Sequence, residues 1–108
     1  MLELYQTEWC PASRRVRESL TELGLDYVVH QVPVERDERI ALVAATGVET
    51  IPALVLEDGT AVVGEDAIGD YLYERFDEPP QAEAHRLKAA LIHRRVLEDE
   101  CDCAQPVA

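Results

Sequence analysis

A cysteine early in the chain stands where a strand is predicted to give way to a helix. Residues 1–6 form a short apolar run typical of a strand, and Pro11 fits the first turn of a helix, where its missing N–H costs nothing. Cys10 therefore lies at a helix N-terminus, whose unpaired N–H groups and dipole favour an anion. Because the thiolate is the reactive form of cysteine, this placement predicts a nucleophilic thiol. The alternative is a buried cysteine acting as a small hydrophobe beside a core tryptophan, Trp9.

Two later segments could complete a site around this thiol. Thr50 and Ile51 precede Pro52, and a cis X–Pro bond would make a specific turn that directs the backbone groups of Ile51 sideways. A plain proline at the start of a strand is the alternative. Glu65 and Asp66 open a predicted helix, whose free N–H groups suit a carboxylate ligand, while Asp66 could accept a hydrogen bond from an ammonium group. An acidic helix cap without any ligand is the alternative here.

The rest of the sequence supplies the elements that must position these residues. Runs rich in strand-forming residues and bounded by Gly, Pro or Asp predict strands, and apolar residues three or four positions apart predict helices. The predicted strands cover residues 1–6, 26–34, 53–56 and 61–63. The predicted helices cover residues 11–23, 35–46, about 65–76 and 81–100.

Each predicted helix carries apolar residues on one face, which we expect to pack in the core. For the first three helices these residues are Val16, Leu20 and Leu23, then Ile40, Val43 and Ala44, then Ile68, Leu72 and Phe76. For the last helix they are Ala84, Leu87 and Leu91 on one side, with Ile92 and Val96 on an adjoining side. We expect this last helix to cover part of the sheet or a partner molecule.

The element order β-α-β-α-β-β-α predicts an α/β fold with a mixed four-stranded sheet flanked by helices, followed by an extra C-terminal helix. A compact unit over residues 1–78 would hold all the candidate site residues. The additional helix would occupy residues 79–100, and residues 101–108 would form a flexible tail.

Three motifs together resemble the thioredoxin superfamily. Cys10-Pro11-Ala12-Ser13 is similar to the one-cysteine motif of glutaredoxins, and Thr50-Ile51-Pro52 resembles the Thr/Val-x-Pro signature, in which the proline is cis. Residues 64–72 resemble the Glu-Ser-x-x-Ile-x-x-Tyr-Leu segment of glutathione transferases and the Gly-Gly-x-Asp-Asp segment of glutaredoxins. With the element order, the resemblance covers residues 1 to about 77 and is closest to glutaredoxins and to the glutathione-binding N-terminal domain of glutathione transferases.

The resemblance implies roles for particular residues. It makes Cys10 the nucleophile, with Ser13 either hydrogen-bonded to the thiolate or simply on the helix surface. The backbone of Ile51 would pair with the cysteine portion of glutathione, and the start of the third helix would hold its γ-glutamyl end, with Glu65 contributing either its side chain or only its backbone N–H. The residues implied to bind the small thiol are Trp9, Pro11, Thr50, Ile51, Pro52, Glu65 and Asp66.

The charges around the cysteine depart from the glutaredoxin pattern. Thr7 stands where many glutaredoxins have a lysine, and the neighbouring Glu8 is expected to raise the pKa of the Cys10 thiol. Arg14 or Arg36 could substitute for the missing lysine. Otherwise the thiol is less acidic than in glutaredoxins, or the small thiol is a related compound such as γ-glutamylcysteine, which lacks the glycine carboxylate.

The absence of a second cysteine in the motif indicates a mechanism. Because Ser13 occupies that position, Cys10 cannot close a disulfide within the motif. The available route is attack on a mixed disulfide, which leaves Cys10 bonded to the small thiol until a second thiol molecule removes it. The leading hypothesis is a glutaredoxin-like thiol-disulfide oxidoreductase that uses glutathione or a related thiol and acts on disulfide-containing or mixed-disulfide proteins.

Two other functions stay open. One is a non-catalytic adaptor that binds a small thiol or an iron–sulfur cluster, although relatives of that kind usually have Gly-Phe where this chain has Pro11-Ala12. The other is a conjugating enzyme of the glutathione transferase type, which would need a helical domain that 108 residues do not accommodate.

Three cysteines and no well-spaced histidines give little indication of a metal site, and none is expected under the leading hypothesis. Cys101 and Cys103 lie in a polar tail. They could provide a resolving thiol or soft metal ligands, or belong to a dispensable segment.

The composition limits the partners and the compartment. With 22 acidic and 10 basic residues the formal net charge is −12, which disfavours binding to nucleic acid or to an anionic membrane. Ordinary acidic solubility or adaptation to high salt would explain this charge, and Lys88 as the only lysine favours salt adaptation. The odd number of cysteines, with no signal-like N-terminus and no apolar run of membrane-spanning length, predicts a reducing cytoplasm. The sequence leaves the oligomeric state open.

Overall fold

The fold is described from a computed structural model of the protein, which covers residues 1–93. The strands are β1 (Leu2–Gln6), β2 (Tyr27–Gln31), β3 (Ala53–Val55) and β4 (Ala61–Val63). The helices are α1 (Pro11–Glu22), α2 (Ile40–Thr46), α3 (Glu65–Arg75) and α4 (Ala82–His93), and a short 3₁₀ turn, Arg36–Glu38, precedes α2. Some expectations concern residues outside this range. They are those for the end of the last helix, for Val96, for Cys101 and Cys103, and for the tail.

The four strands form one mixed sheet, as the sequence predicts, and their order in it is β2-β1-β3-β4. β1 runs parallel to β2 and antiparallel to β3, and β3 runs antiparallel to β4. Tyr5 near the end of β1 is opposite Ala53 at the start of β3, and Ala53 is opposite Val63 at the end of β4. The segments 7–10, 50–52 and 64–66 therefore all leave the sheet at the same end.

Alternate residues of the sheet face two separate apolar layers, as the period of a strand requires. Leu4 and Leu54 lie on the face covered by α1 and α3, and Tyr5 and Ala53 lie on the face covered by α2. The buried residues of the larger layer are Leu4, Val16, Leu20, Leu23, Leu54, Ile68 and Leu72. Each such side chain contributes about 1.5–3 kcal/mol when fully buried, so this layer holds α1 and α3 in place.

The C-terminal end of α1 fixes the path of the chain into β2. The N–H of Leu25 donates to the carbonyl of Leu20 (2.9 Å), and the N–H of Gly24 donates to that of Thr21 (3.0 Å). This Schellman motif needs a left-handed residue, and Gly24 has φ +67°. The predicted core residues Val16 and Leu20 are buried on this helix.

The prediction for the second helix is wrong in its extent and in its buried face. The single helix expected over residues 35–46 is a 3₁₀ turn and a separate seven-residue α2, with Arg39 (φ −82°, ψ +50°) between them. Leu42 is the buried residue, whereas Ile40 is 77% exposed and Val43 and Ala44 are exposed too. Six of the seven residues of α2 are apolar, so the spacing of Ile40, Val43 and Ala44 does not distinguish a buried face from an exposed one.

The last helix packs against α1, on the helical side of the molecule, and the apolar face expected for it points outward. Leu87 is 58% and Leu91 is 39% exposed, while Ala82 is buried and Ile92 is half-buried beside α1. Arg86 extends from α4 to the Glu22 carboxylate (3.4 Å). None of the helices within residues 1–93 has the length and apolar character needed to cross a lipid bilayer.

Candidate functional site

Cys10 is the N-cap residue of α1. Its backbone is extended (φ −80°, ψ +118°), and its Sγ accepts a hydrogen bond from the backbone N–H of Ser13 at 3.4 Å. Its carbonyl accepts the first bond of the helix, from the N–H of Arg14 (3.1 Å). The thiol is partly exposed, so a small reactant can reach it. A sulfur in this position interacts with the positive end of the helix dipole.

The surroundings of Cys10 favour its thiolate. Burial raises the pKa of the Cys10 thiol, but hydrogen bonds from Ser13 and from the backbone N–H of Ala12 oppose it, together with the positive charge of Arg15. The combined effect lowers the pKa of Cys10 from its ordinary value. The cation that lowers this pKa is Arg15, rather than Arg14 or Arg36.

Ser13 lies in the interior and joins α1 to the loop that carries Cys10. It is fully buried, and its Oγ accepts a hydrogen bond from the N–H of Thr7 at 3.4 Å. The carbonyl of Thr7 accepts one from the N–H of Cys10, also at 3.4 Å. The idea of a helix-surface serine is thus wrong. The hydroxyl of Thr7 is buried without a hydrogen-bond partner in the described part of the chain.

Glu8 interacts with Arg17, a residue that the sequence analysis missed. Arg17 Nη2 lies 3.3 Å from Glu8 Oε2, and Arg17 Nη1 donates to the carbonyl of Thr7 (3.4 Å) and to the side chain of Gln6. The buried Gln6 amide donates in turn to Glu8 and to Gln31, both at 3.1 Å. The Glu8 charge is balanced within this network. The only signal for Arg17 in the sequence is its position: it follows Cys10 by seven residues, which is two helical turns along α1.

The peptide bond between Ile51 and Pro52 is cis, as the resemblance implied. Pro52 is buried, Ile51 is half-buried and Thr50 is exposed. Within residues 1–93 the backbone groups of Ile51 make no hydrogen bond to another backbone group. The carbonyl of Pro52 accepts a hydrogen bond from the N–H of Gly64 (2.9 Å), which ties this turn to the start of α3.

The start of α3 places two acidic residues at a free helix N-terminus. Gly64 is its N-cap with φ +95° and ψ +150°, and no side chain caps the helix. The carboxylate of Glu65 accepts two hydrogen bonds from Arg15, of which the one from Nη2 to Oε1 measures 3.1 Å. The Glu65 side chain is therefore engaged by α1, which leaves its backbone N–H for a ligand. Asp66 is exposed.

The remaining predicted residues flank Cys10 at the surface. Trp9 is 61% exposed, and Pro11 is exposed in the first turn of α1. The alternative of a cysteine packed beside a core tryptophan is therefore wrong. The structure thus brings all three predicted segments to one end of the sheet, joined by the contact between Arg15 and Glu65 and by the bond between Pro52 and Gly64.

Known proteins provide a comparison for this arrangement. A family model described as "Glutathione S-transferase, N-terminal domain" matches residues 4–80. No curated protein matches the chain.

Solved structures of glutathione transferases are similar to this chain as well. A glutathione S-transferase domain-containing protein from Marinobacter aquaeolei VT8 is 32% identical, with a TM-score of 0.61 over 85% of this chain and 47% of that one. A glutathione S-transferase from Rhodospirillum rubrum F11 is 31% identical, with a TM-score of 0.60 over 87% and 46%. A glutathione transferase homologue from Sulfitobacter with bound glutathione is 23% identical, with a TM-score of 0.62 over 97% and 58%.

The chain spans about half the length of these solved proteins, and the matched half contains the sheet, α1, α2 and α3. The family match covers the three segments that meet at Cys10. By this match and by its thioredoxin-like sheet, the chain belongs to the glutathione S-transferase N-terminal domain family.

Proposed function

We propose that this protein is a thiol-disulfide oxidoreductase that uses Cys10 as its nucleophile and glutathione, or a related γ-glutamyl thiol, as its second substrate. The observation that carries the proposal is the sulfur of Cys10, partly exposed at the N-terminus of α1 with its pKa lowered. A thiol held in this way is in the reactive thiolate form at lower pH than an ordinary cysteine.

The reaction needs no second cysteine in the motif. The Cys10 thiolate attacks the small-thiol sulfur of a mixed disulfide, forms a new S–S bond to it and releases the substrate as a thiolate, which takes a proton from water. The thiolate of a second small-thiol molecule attacks that same sulfur. This step releases the Cys10 thiolate and yields the oxidised small-thiol dimer. In the net reaction the substrate sulfur is reduced to a thiol and one free small thiol is oxidised.

The described residues around Cys10 suit a γ-glutamyl thiol. The unpaired backbone groups of Ile51 can pair with an extended peptide as an edge strand does. The free N-terminus of α3 suits the γ-glutamyl carboxylate, and exposed Asp66 suits its ammonium group. Arg15 neutralises Glu65, which would otherwise repel a carboxylate at this position. In this proposal residues 1–78 form the thiol-binding unit.

Conjugation of glutathione to an electrophile is the second candidate, because the family match is to a transferase domain. A conjugating enzyme needs an apolar pocket beside the thiol. The groove of about 950 Å³ between α1 and α3 begins at Arg15 and Glu65, but acidic side chains line much of it. They are Glu18, Glu22, Glu65, Asp66, Asp70 and Glu74. Such a groove does not suit an apolar electrophile, so we favour disulfide exchange.

The test compares Cys10→Ser with a variant in which Cys101 and Cys103 are both serine. Reduction of a glutathione-containing mixed disulfide is measured with glutathione and with γ-glutamylcysteine, and adducts are mapped by intact-mass and peptide mass spectrometry. We expect loss of reduction in Cys10→Ser and full activity in the tail variant, with one reversible adduct on Cys10. Unchanged reduction in Cys10→Ser would overturn the proposal.

The same preparations distinguish the other functions. Conjugation of 1-chloro-2,4-dinitrobenzene without disulfide reduction would favour a transferase. A coloured protein after anaerobic purification, with no turnover of either substrate, would favour the iron–sulfur adaptor.

A further inference from the structure

Arg39, between the 3₁₀ turn and α2, is a buried arginine away from Cys10. It is only 5% exposed, whereas the other arginines of its segment and of α1 lie nearer the surface. Among residues 1–93 no carboxylate forms an ion pair with it. A charge taken out of water is costly unless hydrogen bonds compensate for it, so its partners indicate what it does.

All three hydrogen bonds of the Arg39 guanidinium go to backbone carbonyls on either side of α2. Nε donates to the carbonyl of Pro33 (2.8 Å) and Nη2 to that of Val34 (3.1 Å), just after β2. Nη1 donates to the carbonyl of Glu49 (2.7 Å), three residues before cis-Pro52. One planar side chain therefore joins the entry and the exit of the segment that contains α2.

We propose that Arg39 is a positioning residue that clamps residues 49–52 and so fixes the backbone of Ile51, where the small thiol docks. The inference rests on the proposed function in taking Ile51 as the docking residue. Arg39 acts through the backbone and does not contact the reacting sulfur.

The stretch of backbone between the Glu49 carbonyl, which Arg39 binds, and Ile51 is short. Glu49 and Ile51 are separated by one residue, so a shift of the Glu49 carbonyl moves the Ile51 N–H by a similar amount. Pro52 and Ala53 are already held, through the bond to Gly64 and through the pairing with β1. With the clamp released, Ile51 would keep its side-chain packing beside Leu42 and Ala53 and the restraint on its C-terminal side, but its N-terminal side would lose the bond that ties it to residues 33–34.

The geometry of the guanidinium explains why arginine is needed here. Its N–H groups lie in a rigid planar fork and can reach three acceptors at once, whereas a lysine ammonium has the same charge but is compact and lies at the end of a flexible chain. The substitution Arg39→Lys therefore keeps the charge and loses the bridge. Arg36→Met removes a positive charge from the exposed 3₁₀ turn of the same segment and leaves the bridge intact, which makes it the matched control.

Hydrogen–deuterium exchange tests the clamp without reference to any activity. It is measured on the full-length protein for peptides covering residues 40–52, with peptides from α1 and α3 as internal references. We expect Arg39→Lys to exchange about tenfold faster at residues 43–48, where Val43, Gly47 and Val48 donate N–H hydrogen bonds, because the ends of the segment separate more often. Exchange in α1 and α3 should be unchanged. Wild-type exchange at residues 43–48 in Arg39→Lys would overturn the clamp.

Steady-state kinetics tests the link to thiol binding. We expect Arg39→Lys to raise KM for glutathione about tenfold with kcat within about twofold, since misplaced binding groups weaken docking more than the chemistry at Cys10. The pH dependence of Cys10 alkylation should stay as in the wild type. Arg36→Met should have wild-type KM.

The outcomes separate the two proposals. The positioning role would be overturned by an equal rise of KM in Arg36→Met, which leaves the bridge intact. A wild-type KM in Arg39→Lys, which removes the bridge, would overturn it too. Full disulfide reduction by Cys10→Ser would instead overturn the proposed function, while the exchange data would still decide whether Arg39 holds the segment.

Discussion

Arg15 and Glu65, fifty residues apart in the sequence, form a two-bonded ion pair that joins the first turns of α1 and α3. The same guanidinium lies close enough to Cys10 to lower the pKa of its thiol. One arginine therefore serves both halves of the proposed site: it stabilises the nucleophile, and it neutralises the carboxylate nearest the N-terminus that would receive the γ-glutamyl end.

Replacing Arg15 with Gln should raise the pKa of Cys10, because a positive charge that favours the thiolate is lost. The alkylation rate of Cys10 by iodoacetamide, measured against pH, reports this pKa. At neutral pH we expect a lower rate in Arg15→Gln. The difference should shrink at high salt because Arg15 and Cys10 are both partly exposed.

Two matched variants control this experiment. Arg14→Gln removes the same charge from the adjacent position, where Arg14 pairs with Glu18 (3.8 Å), and should leave the Cys10 profile unchanged. Glu65→Gln keeps the cation and should not raise the pKa. A rise in Arg14→Gln equal to that in Arg15→Gln would mean that general surface charge and not Arg15 sets the acidity of the thiol. A rise in Glu65→Gln would mean that Arg15 acts on the thiol only while Glu65 holds it in place.

The lowered pKa of Cys10 also predicts how stability depends on pH. In the folded protein the thiol ionises at lower pH than in the unfolded chain, whose thiol pKa is about 8.5. The thiolate thus contributes stability that is complete above the unfolded pKa and lost as pH falls through the folded one. The free energy of unfolding, measured by urea denaturation, is compared between wild type and Cys10→Ser, and we expect the difference, wild type minus variant, to increase with pH across this window. A difference that does not change with pH would contradict the prediction.

Much of the fold could be predicted because its signals are local. Apolar spacing indicates α1 and α3 correctly, and the Cys-Pro and X-Pro motifs indicate where the chain turns at the candidate site. The buried face of α2 was missed because this short helix is apolar on nearly every side, so spacing alone does not select Leu42. The partners of Arg15 and Gln6 were out of reach for another reason: Glu65 and Gln31 come close to α1 and β1 only when the chain has folded.

The network around Arg17 is expected to stabilise the loop that carries Cys10. Arg17→Met keeps most of the aliphatic length of the side chain but leaves the buried Gln6 side chain and the Thr7 carbonyl short of one donor each. An unsatisfied buried polar group costs about 1–3 kcal/mol, so we expect a loss of stability of that order. Thermal or urea unfolding measures it. Arg14→Met, which removes an arginine with a solvent-exposed ion pair, should change stability by less than about 0.5 kcal/mol.

The N-terminus of α3 depends on a backbone conformation that only glycine adopts readily. At φ +95° and ψ +150°, Gly64 would be strained by any side chain, even though a Cβ would meet no atom within 4 Å. Gly64→Ala should therefore cost about 1–3 kcal/mol of stability and raise KM for the small thiol, since the N–H groups of α3 would move away from the docking turn.

Gly69→Ala provides the opposite case within the same helix. Gly69 has ordinary helical geometry and open space around it, so alanine there should stabilise the protein by about 0.5–1 kcal/mol through a lower entropy of the unfolded chain. It should leave KM unchanged. If both substitutions altered stability and KM alike, the effect would come from loss of glycine in α3 generally, and the special conformation of Gly64 would have no part in holding the site.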